Sequence, residues 1–126
     1  MATAPRPGAQ KRKQQSTARF RITVDGVEST LYPATYGPRD DVIVRMATKS
    51  PSGWGMEVSL QGLLFQLRDG ATIGNDTICT LWWFGRYKAG ENVKLGDLID
   101  VFPPFSEMND RVVLEELDDE DDSPEA

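Results

Sequence analysis

Histidine is absent from this 126-residue sequence, and cysteine occurs once, at Cys79. The first absence removes His-based catalytic triads, His-ligated zinc and the commonest general base. The second removes any internal disulfide, and the two together leave no ligand set for a structural zinc. Long hydrophobic runs are also missing. No apolar stretch approaches the ~20 residues of a membrane span, and residues 1–15 lack the apolar segment of a secretory signal. The expectation is a soluble, cytoplasmic, non-enzymatic protein that needs no metal and no cofactor.

What is present is a strong separation of charge. Arg6, Lys11, Arg12, Lys13, Arg19 and Arg21 occupy residues 1–21 without a single acid, whereas residues 107–126 hold ten acids against Arg111 alone. The hydrophobic fraction of 39% suits one compact core with polar extensions. Residues 1–18 have almost nothing apolar to offset ordering entropy, so they read as a disordered basic arm. Residues 19–105 read as one globular domain, and residues 106–126 as an acidic, mostly disordered tail.

Within the domain the periodicity changes along the chain. Phe20, Ile22 and Val24 alternate with Arg21 and Thr23, and Asp25-Gly26 follows at once. This is a strand and a two-residue hairpin turn, because both turn positions need positive φ. The turn pairs Val24 with Val27, Ile22 with Ser29 and Phe20 with Leu31, on one face. A lone hairpin is marginal, so helices must cover that face.

Tyr32-Pro33 ends the second strand. Pro38, Asp40 and Asp41 then suit a helix start, with Val42, Ile43, Met46 and Ala47 as its apolar face and a stop before Ser50-Pro51. Residues 57–68 form a second helix, striped by Leu60, Leu63, Leu64 and Leu67, with Gly70 as its cap. Asn75 or Asp76 starts a third, running to Ala89, with Ile78, Leu81, Trp82, Trp83 and Phe84 around most of its circumference. Such a helix is either central to the core or also meets a partner. Residues 93–102 suggest a short fourth helix, ended by Pro103-Pro104, and residues 112–114 a short strand. The fold class is therefore α+β and mainly helical: an N-terminal hairpin packed by three to four short helices.

Several motifs have bland readings that outweigh sharper ones. Residues 118–122 are rich in acids but lack the alternating ligands and turn glycine of a calcium loop. Gly85 and Gly90 lack phosphate-loop spacing. Asp97 and Asp100 stand one helical turn apart without a visible pocket for acid–base work. The basic arm could contact phosphates, but it has no interleaved aromatics and belongs to no recognised module. Trp83, Tyr87, Trp54 and Tyr36 are the candidate partner-binding aromatics, set against the alternative that each packs in the core. For Trp82 the core reading leads, and for Trp83 the two are balanced.

Read together, several segments carry a resemblance. They are the basic start, then Arg19-Phe20-Arg21-Ile22-Thr23-Val24-Asp25-Gly26, Leu31-Tyr32-Pro33-Ala34 and Gly37-Pro38-Arg39-Asp40. Leu81-Trp82-Trp83-Phe84-Gly85-Arg86-Tyr87-Lys88-Ala89-Gly90-Glu91 follows, then a short amphipathic helix and an acidic end. The sequence resembles the small tail assembly chaperones of long-tailed, siphovirus-type phages of actinobacteria, over about residues 19–122. The resemblance implies a non-enzymatic protein of the infected host's cytoplasm that is absent from the finished virion. Its implied partners are the tape measure protein, which it keeps soluble, and tail tube subunits; a homo-oligomer is compatible. In the family a translational frameshift near the C-terminus often gives a longer second product. The rival readings are a structural virion component, such as a head–tail connector or minor tail protein, and a small nucleic-acid-binding regulator.

Overall fold

The computed structural model describes residues 19–69 and 73–117. The basic arm of residues 1–18, the acids of residues 118–126 and the Gly70 cap lie outside the described residues. In chain order the elements are β1 (Arg19–Val24), β2 (Val27–Leu31), a 3-10 turn (Pro33–Thr35), α1 (Pro38–Lys49), α2 (Leu60–Asp69) and α3 (Asn75–Lys88). Then follow α4 (Leu95–Val101), a second 3-10 turn (Phe105–Glu107), α5 (Met108–Arg111) and β3 (Val112–Leu117). The fold is α+β, with an antiparallel sheet in the order β2-β1-β3 and the helices against one of its faces.

The hairpin has the register that its turn dictates, with Val24 opposite Val27, Ile22 opposite Ser29 and Phe20 opposite Leu31. Asp25 (φ 52°) and Gly26 (φ 83°) both take positive φ, the requirement that selects Asp-Gly here. Phe20, Ile22, Val24 and Leu31 point into the core, while Val27 at the hairpin tip stays partly open.

The third strand corrects the domain boundary. Residues 115–117, expected in the disordered tail, extend β3 to Leu117 and pair antiparallel with β1, Glu115 opposite Arg21. Arg21 Nε donates to Glu115 Oε1 at 3.0 Å, and Arg111 forks onto Asp25 at the other end of the seam. The acids that resemble a solvated run are here the charged outer rows of an edge strand. Val113, Leu114, Glu115 and Glu116 of β3 are all exposed, so the backbone ladder and these ion pairs hold the strand more than burial does.

α3 is the central element. Every residue from Thr77 to Gly85 is buried, and the helix lies across β2 with α2 and α4 at its flanks. Gly85 makes the close approach to β2: a Cβ built there would overlap Ser29 Oγ and lie 3.0 Å from the Thr30 carbonyl oxygen. The contact leaves Ser29 Oγ buried without a hydrogen-bond partner.

α1 buries only half of the face its apolar residues suggest: Ile43 and Ala47 pack against the core as expected. Asp40, Val44 and Thr48 point inward, whereas Val42 and Met46 are exposed. The polar pair can be buried because each is satisfied locally. Asp40 accepts from the Gly37 amide at 2.9 Å and from Lys88 Nζ at 2.7 Å. Thr48 Oγ1 donates to the Val44 carbonyl at 2.8 Å and accepts from the Val58 amide at 3.0 Å.

Candidate partner-binding surface

The four aromatic candidates fall in different environments. Trp83 is 4% exposed, and its Nε1 donates to the Val93 carbonyl at 3.1 Å. It is a core residue, like Trp82, whose Nε1 donates to the Val27 carbonyl at 2.9 Å. Of the two readings left balanced for Trp83, burial selects the core, which removes it from the partner-binding candidates: α3 is covered by the sheet, its neighbouring helices and the loop after it. Trp54 is half-buried and docks on α3, its Nε1 donating to Thr80 Oγ1 at 2.7 Å. Tyr87 remains exposed and stacks on Trp83 with centroids 5.5 Å apart.

Tyr36 is the candidate that reaches a concave surface. Its ring meets Phe84 edge-on at 5.1 Å, and its hydroxyl accepts from the Tyr32 amide at 3.0 Å. Burial pushes that phenol up to about 12, so it stays neutral at physiological pH. Phe84 thus links Tyr36 to Trp83 and Tyr87 in one aromatic cluster, and Trp54 lies outside it.

The concave surface is a groove of about 950 Å³ between the start of α1 and α2. Pro33, Tyr36, Pro38, Leu64 and Phe65 give it apolar walls, and Arg68 stands at its rim. Phe65 is 66% exposed, and Arg68 makes no ion pair with a described residue. Asp41 fixes the two walls together. One of its carboxylate oxygens accepts from the Leu60 amide, the first of α2, at 2.7 Å, and the other from Arg45 Nε at 2.6 Å. It therefore caps α2 from the side chain of a neighbouring helix, satisfying an amide that α2 cannot satisfy itself.

Phe65 and Arg68 were not among the sequence candidates. The signal was available: Phe65 lies well off the Leu60, Leu63, Leu64 and Leu67 stripe, where an amphipathic helix should be polar. Val42, one turn on from Pro38 along α1, extends the same apolar tendency.

Two carboxylates at the start of α1, Asp41 in the groove and Asp40 beside Lys88, carry a pH dependence. The Arg45 guanidinium holds Asp41 below its ordinary value of 3.8, against partial burial and with help from the Leu60 amide. Burial alone would raise Asp40, but Lys88 and the Gly37 amide outweigh it and hold that carboxyl low as well. A carboxyl with a depressed folded pKa contributes stability above its unfolded value, and the contribution is lost as pH falls through the folded one. Thermal unfolding should give a flat midpoint from about pH 7 to 5 and a fall below about pH 4, with Asp40→Asn flattening that acid limb. A midpoint unchanged down to about pH 3 would contradict the assignment.

Asp97 and Asp100 both sit on the exposed side of α4, and among the described residues no group of three or more potential metal ligands is assembled. Cys79 is buried, and burial, with a smaller contribution from Asp76, pushes its thiol up to about 12. No described helix is long and apolar enough to cross a membrane. Compared with family models, with curated proteins and with solved structures, the chain matches none.

Proposed function

We propose that the protein is a phage tail assembly chaperone, and that the groove between α1 and α2 receives an apolar helical segment of the tape measure protein. The observation that carries the reading is an exposed phenylalanine in an apolar groove beside an arginine that has no ion-pair partner among the described residues. An amphipathic helix would lay its apolar side chains on Tyr36, Leu64 and Phe65 and set a carboxylate against Arg68. The resemblance over about residues 19–122 supplies the partner, and the groove supplies a surface on which it could be held.

The test is co-expression with the tape measure protein of the same phage. The wild-type chain should raise the soluble fraction of that protein severalfold. Phe65→Asp should abolish the gain while shifting stability by no more than about 0.5 kcal/mol, as an exposed substitution does. A tape measure protein equally insoluble with and without the chain would refute the function. Undiminished rescue by Phe65→Asp would refute the groove.

A further inference from the structure

The sheet ends differently at its two edges. α3 lies across β2 and presses on it at Gly85, so a helix roofs that edge. β3 packs on β1 and on the short α5 that leads into it. Leu114 shares the helix-side face with Ile22, yet it is exposed, as is Val113 on the other face. The backbone of β3 is open as well. The Asp25 amide donates to the Arg111 carbonyl at 2.9 Å, which sets the phase of the ladder. Residues 111, 113, 115 and 117 therefore turn their peptide groups toward β1, and residues 112, 114 and 116 turn theirs outward. The Val112 amide is used, since it closes α5 onto the Met108 carbonyl. The amides of Leu114 and Glu116 and the carbonyls of Val112 and Leu114 have no partner among the described residues.

We propose that β3 is a self-association edge: two copies of the chain pair β3 to β3, antiparallel, about a two-fold axis at Leu114. The inference is independent of what the groove binds. An open edge with consecutive apolar residues is a template for another strand, and charge selects a second copy running the opposite way. Each strand starts with Val112 and Val113 and ends with Glu115 and Glu116. Antiparallel pairing sets the acids of one copy against the valines of the other, whereas parallel pairing would stack acid on acid. The free backbone groups select the register. Centred on Leu114, the two Leu114 residues exchange amide and carbonyl, and each Glu116 amide meets the Val112 carbonyl of the other copy, about four hydrogen bonds in all. Centring on Glu115 would set like charges face to face, and centring on Val113 would set Glu116 against Asp110 in α5. Shape excludes the other edge. Pairing through β2 would bring the two α3 helices about 5 Å apart, inside the roughly 8–10 Å at which helices pack. Pairing through β3 separates them by five strand spacings, about 24 Å.

So small an interface makes a weak dimer, and sedimentation equilibrium of the full chain from about 10 µM to 1 mM should show monomer passing to dimer. Monomer throughout would overturn the proposal. Amide hydrogen exchange, read by NMR on the wild-type chain, locates the contact. Protection of the Leu114 and Glu116 amides should rise severalfold with concentration, while Val113 and Glu115, already bonded to β1, should change little. Association without that rise would place the contact on another face. Protection that is complete at the lowest concentration would mean that a segment of the same chain covers the edge. Either result overturns the pairing. A charge swap fixes the register, because only the register centred on Leu114 sets that residue against itself. Leu114→Lys and Leu114→Glu should each stay monomeric at about 1 mM, with native tryptophan fluorescence, since the side chain they replace is exposed. An equimolar mixture of the two should associate again. A mixture that stays monomeric would overturn the two-fold axis at Leu114.

Discussion

Gly85→Ala should destabilise the fold by about 2–3 kcal/mol, although helix propensity alone favours alanine over glycine by about 1 kcal/mol. Gly85 lies inside α3, where a methyl group would collide with Ser29 Oγ and crowd the Thr30 carbonyl of β2. Thr30 is held in the hairpin ladder opposite Arg21, so the strand cannot yield without disturbing β1. The helix must instead lift from the sheet, and Phe84 and Leu81, both fully buried, would lose contact with it. Gly62→Ala is the matched control. That glycine sits in α2 with only Ser59 atoms at 3.9 Å around its Cβ position, so propensity should prevail and stability should rise by about 0.5–1 kcal/mol. Urea denaturation of the two variants should give midpoints displaced in opposite directions. A Gly85→Ala midpoint at or above wild type would mean that the approach of α3 to β2 is looser than the geometry describes.

Trp83→Ala should cost about 3–5 kcal/mol, and Trp82→Ala a similar amount. Both indoles are 4% exposed and each satisfies its N–H on a backbone carbonyl, Trp82 on Val27 and Trp83 on Val93. Truncation opens a cavity and leaves a carbonyl without its donor in each case. The environments differ in kind: Trp82 meets Phe102 at 6.1 Å and lies under the Arg86 guanidinium, whereas Trp83 contacts Phe84 and Tyr87. Against a total stability of about 5–15 kcal/mol, either loss should move the denaturation midpoint far and populate unfolded chain. A Trp83→Ala midpoint within about 0.5 kcal/mol of wild type would return that residue to the surface role that the sequence left open.

The hairpin was legible because its information is local: Asp25-Gly26 fixes the turn, and the alternation of residues 20–24 fixes the face. α2 and α3 were legible from period and from the all-round apolar character of residues 78–84. The extent of β3 was not, because its partner β1 is distant in sequence and its Glu115 and Glu116 look like the start of a solvated acidic run. The buried face of α1 was read correctly at Ile43 and Ala47 and misread at its edge, because hydrophobicity ranks Val42 and Met46 above Asp40 and Thr48. It ignores the amide, ammonium and carbonyl groups that satisfy the polar pair. For the site the balance was poorer. Of the four aromatics only Tyr36 lines the groove, and Phe65 was passed over because it was read as part of a helix rather than as an exception to its stripe.

The placement of β1 at the centre of the sheet sets a clock on synthesis. β2 follows β1 after a two-residue turn, so one edge of β1 can pair within microseconds of leaving the ribosome. The other edge waits for Val112–Leu117, about 90 residues later, or roughly 5–20 s at ordinary elongation rates. Throughout that interval β1 offers unpaired amides and carbonyls along one side. The nascent chain is most open to wrong strand partners then, and the last strand to be made is the one that ends the exposure.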